Sequence, residues 1–188
     1  MENLFDKIDS FAREQIDIYG LPQNFNYEVA NRKAEELALS CGGGIDLAKC
    51  ATALMDIKLG EAVKNGKQPE HVKMSADYAQ EILDVLGVEE KTKKLLVNCV
   101  LAHHGNVPYE SIEAEIAANA DAYRFISEIG VFTTYGFAKN LGKNHNESLD
   151  FVQFKLDEKF NILSLEKAKE ELVPLYYKLS DLIKKAHI

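Results

Sequence analysis

Three of the chain's five histidines, His71, His103 and His104, fall between positions 71 and 104, and carboxylates at Asp56 and Asp121 flank that window. Neutral imidazoles and carboxylates are the ligand set that suits zinc, manganese and iron. Each of the five residues lies in a stretch that reads as helical. Helices folded into a bundle can bring such distant side chains to one point. Convergence would make a metal site. Scattering would leave an acidic helical domain with no chemistry on view.

The elements that must position them follow from periodicity. Residues 45 to about 63 (Leu47, Ala48, Cys50, Ala51, Ala53, Leu54, Ile57, Leu59) are apolar nearly all round and predict one central, buried helix. Asp56 sits inside that run, and a buried carboxylate is costly unless it is paired, hydrogen-bonded or bound to metal. Pro69 suits the first position of the next helix, which runs to about Leu86. His71 in its first turn is hard to explain structurally, because a cationic imidazole is disfavoured by the helix dipole there. His103-His104-Gly105 ends the helix that begins at Glu89, where the dipole and the last carbonyls offer a purely structural role. Asp121 lies on a helix from Ser111 to about Ser127, three residues from Arg124, a spacing that also suits an ion pair.

Around this centre, residues 2–19 predict an N-terminal helix ended by Gly20-Leu21-Pro22, and residues 26–40 a second one. Gly42-Gly43-Gly44 lacks the Gly-Lys-Ser/Thr ending of a phosphate loop and reads as a connection. The stretch from Gly130 to Phe137 is rich in β-branched and aromatic residues and predicts a short extended loop packed on the core. A last helix from Leu165 to about Ala186 should be kinked or ended at Pro174.

Composition bounds the function. A formal charge of −8 and a pI near 5.2 argue against a nucleic-acid backbone as the main ligand, since that needs a basic face. An acidic protein that binds phosphate must use local cations or a metal ion. Cys41, Cys50 and Cys99 form no CxxC pair, and their odd number suits a reducing compartment, where they are expected as small buried residues. The first fifteen residues are charged throughout, with no apolar signal core, and no apolar run is long enough to span a membrane. A cytoplasmic protein with no membrane partner is the expectation.

Read in order, TALMDIKLGEA, EHVKMSADYAQEIL, VLAHHG and EIAANADAYRF resemble the HD domain superfamily of metal-dependent phosphohydrolases over about residues 25–128. The family pattern is an early His, a His-Asp pair, a His opening the next helix, a His-His pair, and a late Asp in an Ala-Asp context. His71, His103-His104 and Asp121 match it, and Asp56 matches the second half of the pair. Met55 stands where the His of the pair would be, and the early His would fall near Tyr27. In members of the two-metal kind, one ion uses the early His, the pair and the late Asp; the other uses the Asp of the pair and the three later histidines. The resemblance therefore implies one retained divalent transition metal (Mn, Fe, Zn or Ni) on Asp56, His71, His103 and His104. Asp121 becomes a fifth ligand or a base, and Lys58 or Arg124 neutralises phosphate.

The resemblance also implies an all-α, single-domain bundle of about seven to nine helices spanning residues 1–188, with helix 2–19 and helices 147–187 packed on the HD-like core. The implied function is hydrolysis of a phosphomonoester or phosphodiester, a nucleotide or related small molecule. The missing ligands favour a rival from another class: a degenerate domain that binds metal or nucleotide as a regulatory or interaction module. A third reading, a structural module without metal, holds if the residues do not converge.

Overall fold

A computed structural model of the protein describes residues 3–188; Glu2, the expected first residue of the N-terminal helix, lies outside them. Ten α-helical segments follow in order: α1 (Leu4–Tyr19), α2 (Asn24–Cys41), α3 (Ile45–Leu54), α4 (Leu59–Lys64), α5 (His71–Val85), α6 (Glu90–Ala102), α7 (Ile112–Phe125), α8 (Glu128–Asn140), α9 (His145–Asn161) and α10 (Glu166–Ala186). A 3-10 turn at Gln68–Glu70 precedes α5. All but the six-residue α4 run ten residues or more, and no strand occurs among the described residues, so the architecture is all-α. No helix among those residues is long and apolar enough to cross a membrane.

The bundle is organised around α7. Its sequence is rich in alanine, which favours the helix intrinsically and lets neighbours approach closely. Nearly every side chain from Glu113 to Arg124 is buried. Helices α2, α3, α6, α8 and α9 all pack against it. One apolar cluster lies on one side, built from α1, α3, α5 and α6 with Ile8, Leu54, Leu83 and Leu96 at its centre. A second, with Leu37, Leu156, Leu172 and Ile183, joins α2, α9 and α10. Ala114 and Ala117 of α7 belong to the first cluster, and Ile116 and Ala120 to the second. Each fully buried Leu or Ile contributes about 1.5–3 kcal/mol.

Two close approaches shape the site. Gly105 takes a left-handed φ of 73° directly after His104, and a Cβ there would meet Ile162 at 2.7 Å. Glycine thus lets the chain turn away as soon as the two histidines have been presented. Gly130 in the first turn of α8 has no room for a Cβ, because the carbonyls of Arg124 and Phe125 occupy it. That contact seats α8 against the end of α7, next to Arg124.

Several expectations are corrected. The apolar run from Ile45 to Val63 is not one helix: α3 stops at Leu54, and 3-10-type bonds from Ile57 to Leu54 and from Leu59 to Asp56 form a turn before α4. Asp56 sits in that turn, where its carboxylate can leave the helix surface. The stretch 130–137 is helix α8, because the Ser127 hydroxyl caps it by accepting from Gly130 N–H and the helix packs on α9. Tertiary packing overrides the β-propensity of Val131, Phe132, Thr133 and Thr134. Helix α10 runs through Pro174, since buried Leu172 and Leu179 anchor it on both sides. Cys50 and Cys99 are buried as expected, whereas Cys41 is exposed at the end of α2. The triple glycine is the α2–α3 turn, with Gly42 as left-handed cap and Gly44 N–H donating to Glu113 at 2.9 Å.

Candidate metal centre

His71 opens α5, and His103 and His104 follow the last turn of α6. The α5–α6 pairing and the Asp56 turn bring the three rings and one carboxylate together. One ring nitrogen from each histidine lies within 4.8 Å of the other two. His71 Nε2 is 3.4 Å from His104 Nε2 and 3.4 Å from Asp56 Oδ1, and His103 Nε2 is 3.7 Å from Asp56 Oδ1. Two ligands on one tetrahedral ion with bonds near 2.1 Å stand about 3.4 Å apart.

The opposite ring nitrogens fix the tautomers. His71 Nδ1–H donates to the Gln68 carbonyl at 2.7 Å, His103 Nδ1–H to the Val100 carbonyl at 2.7 Å, and His104 Nδ1–H to Glu158 Oε1 at 2.8 Å. Each Nε2 is then the ring nitrogen turned toward the cluster. Such outer hydrogen bonds are what orient metal-binding imidazoles. Asp56 Oδ1 and His103 Nε2 are both buried with no hydrogen-bond partner, and buried orphan polar atoms require a reason. A cation among these four groups would supply one, and the donor set fits one divalent transition metal.

The electrostatics differ from ring to ring. Burial, reinforced by His104, holds His103 down at about 3, so it is a neutral imidazole at any ordinary pH. Burial lowers His71 too, but Asp56 and the Gln68 carbonyl outweigh it and leave it above its usual value. Burial would raise Asp56; the Arg124 guanidinium and the two imidazoles overcome that and hold it well below the usual carboxylate range.

Beside the histidines lies a second group of charges. Arg124 Nη1 donates to Asp56 Oδ2 at 2.7 Å and to Asp121 Oδ1 at 2.8 Å. Lys159 Nζ pairs with Asp121 Oδ2 at 2.7 Å and with Glu158 Oε1 at 2.8 Å. Lys155 Nζ donates to Glu158 Oε2 at 2.8 Å. Asp121, expected as a fifth ligand or a base, thus has both oxygens paired with cations in this structure. Burial pushes its carboxyl up, but Lys159 and Arg124 bring it below the ordinary value.

The remaining sequence candidates divide. Arg124 lines the cleft but is buried in its ion pairs. Lys58 is turned away: its ammonium donates to Gln15 at 3.0 Å and to Glu61 at 2.7 Å and sits over the Tyr78 ring, outside the cleft lining. Tyr27 is buried and donates its hydroxyl to Asp9, and Met55 is buried where α3 ends. Lys155, Glu158 and Lys159 of α9 were not singled out by sequence. A signal existed: Leu149, Val152, Leu156 and Lys159 form one buried stripe at spacings of three and four, so a lysine completes an apolar face.

Above these groups opens a cavity of about 100 Å³, with Asp56, His71, His104, Arg124, Lys155 and Lys159 at its polar end. Phe125, Phe137 and Phe151 form apolar wall, and Gln23, Asn26 and Thr134 add neutral polar groups.

No family model matches the chain. Over 99 residues it is 32% identical to Ribonuclease Y of Enterococcus faecalis, and over 86 residues 33% identical to Ribonuclease Y of Streptococcus agalactiae. These matches cover 53% and 46% of the chain but only 17% and 14% of those proteins. Among solved structures, a predicted HD superfamily hydrolase from an uncultured Thermotogales bacterium superposes with a TM-score of 0.68, at 16% identity, over 96% of this chain and 89% of that one. YpgQ of Bacillus subtilis superposes with a TM-score of 0.70, at 14% identity, over 96% and 92%. YpgQ in complex with ADP gives 0.69, at 14% identity, over 96% and 93%. The protein shares the all-helical fold of these solved structures.

Proposed function

We propose that the protein is a metal-dependent phosphohydrolase acting on a phosphomonoester or phosphodiester, of a nucleotide or a related small molecule. The observation that carries this reading is the cluster beside the cleft: three histidine ring nitrogens within 4.8 Å of one another, and an Asp56 oxygen with no partner. Asp56, His71, His103 and His104 hold the ion. A divalent ion there supplies Lewis-acid polarisation of a phosphoryl oxygen and acidifies water, whose pKa falls from about 15.7 towards about 7. The protein's own charges are balanced, with Asp56, Asp121 and Glu158 set against Arg124, Lys155 and Lys159. A bound divalent ion would then leave the cleft net positive, which favours an anionic phosphate ester. Asp121 keeps Arg124 and Lys159 in place. The aromatic wall excludes water and takes the apolar part of a substrate, and the ADP complex of the similar YpgQ supports a nucleotide.

Protein purified without chelator should contain near-stoichiometric transition metal and turn over a phosphoester or a member of a nucleotide panel. Both properties should be lost in His103→Ala. Protein that holds no transition metal and refuses added manganese, zinc and iron would overturn the reading.

A second reading is a binding module without turnover. It is favoured by the commitment of both Asp121 oxygens and by the lack of ligand atoms at Met55 and Tyr27. Metal-loaded protein that binds nucleotide and cleaves none of the panel would select it.

A further inference from the structure

Asp56 arrives from the α3–α4 turn and Asp121 from the middle of α7, and a single nitrogen of Arg124 lies between them, 2.7 Å from one carboxylate and 2.8 Å from the other. Without that guanidinium, two buried carboxylates would border the space that its nitrogen fills. We propose that Arg124, backed by Lys159, is a tethered second cation. It fills the space that a second metal ion would need, so the protein takes one divalent ion per chain and cannot take two. This rests on the reading of the histidine cluster as a metal site.

Four observations support it. Arg124 is only 4% exposed and Lys159 not at all, so both charges are fixtures of the interior rather than solvated side chains that happen to lie near. Together they consume Asp56 Oδ2 and both Asp121 oxygens, leaving only Asp56 Oδ1 free, and that atom faces His71 and His103. Met55, an apolar thioether, and Tyr27, whose hydroxyl goes to Asp9, add no ligand, so any second ion would depend on the two carboxylates that Arg124 occupies. Finally, an added divalent ion would meet two buried like charges, and in a low-dielectric site that repulsion is unscreened. A guanidinium also stays protonated at every working pH and cannot be chelated away. The cleft would therefore keep one cation permanently and load the other.

The test is manganese stoichiometry, by calorimetric titration and elemental analysis, on the full chain. Wild-type protein should saturate at one Mn²⁺ per chain even in millimolar excess. Arg124→Ser should unfold at lower temperature without metal, then take two Mn²⁺ per chain, recover its thermal stability and show the spin coupling of a manganese pair. Arg124→Lys, which keeps the charge, should stay at one. Wild-type protein binding two ions would overturn the proposal. So would an Arg124→Ser protein that still binds one, or that millimolar Mn²⁺ fails to rescue. Wild-type protein binding none would instead sink the metal-site reading itself.

Discussion

The two halves of the cleft floor are built from the same kinds of charge and end in opposite states. On the histidine side, three imidazole nitrogens and Asp56 Oδ1 face one another, and two of these atoms, Asp56 Oδ1 and His103 Nε2, have no hydrogen-bond partner. On the α9 side, every carboxylate oxygen of Asp121 and Glu158 meets a cation or an imidazole N–H within 2.8 Å. One half leaves buried polar atoms without partners, whereas the other is completed by the chain. The contrast lies in what approaches each carboxylate, and Asp56, with one oxygen in each half, joins the two.

Breaking the completed half should have the largest effect. Lys159→Met removes a fully buried cation and strands Asp121, which should cost about 3–5 kcal/mol in denaturant unfolding. A loss under 1 kcal/mol would mean the ion pair is not a fixture of the fold. Breaking the other half should leave the fold in place and remove the metal: His103→Ala should weaken binding by about 100-fold or more, beyond the 10–100-fold typical of outer-shell changes. Glu158→Gln sharpens the comparison, because it touches both halves through His104 and Lys159. It should lower metal affinity by about 10-fold to 100-fold, read by competition with a chelating dye, while the metal-free protein also loses stability.

Acid should act on the completed half through Asp121. Its carboxyl is held below its ordinary value in the folded state, so its contribution is present above the unfolded pKa near 3.9 and is lost as pH falls through the lower folded value. The stability gap between wild type and Asp121→Asn should be constant from about pH 7 to 5 and shrink below about pH 4, measured by denaturant titration at each pH. Smallest of all, Lys58→Ala should leave metal affinity unchanged within about 2-fold, since its ammonium belongs to Gln15, Glu61 and Tyr78 rather than to the cleft. A larger change would return Lys58 to the site.

Some of this was legible in the chain alone, for local reasons. Helix periodicity, Pro69 and Gly105 place His71 at a helix start and His103-His104 at a helix end, because capping and turn chemistry act over a few residues. The resemblance at TALMDIKLGEA and VLAHHG pointed to the fold that the solved structures share. Other features were hidden for equally physical reasons. The Asp56 turn is invisible in an apolar run, since Leu54, Ile57 and Leu59 read the same on one helix or across a break. Helix α8 contradicts its own β-propensity and depends on the Ser127 cap and on α9. Lys58 and Arg124 looked alike as cations near a carboxylate, and only packing separates one at Glu61 from one between two buried aspartates.

What the sequence by itself determined is the helical class, most of the helices, and the residue types that can bind a metal. These follow from short-range geometry and from the chemistry of each side chain. What only the tertiary structure decided is which charge meets which. Lys159 is 38 residues from Asp121 along the chain and 2.7 Å from it in space, and the Arg124 guanidinium joins Asp121 to Asp56, 68 residues away from it. Coulomb energy depends on distance and dielectric, neither of which is written in sequence separation.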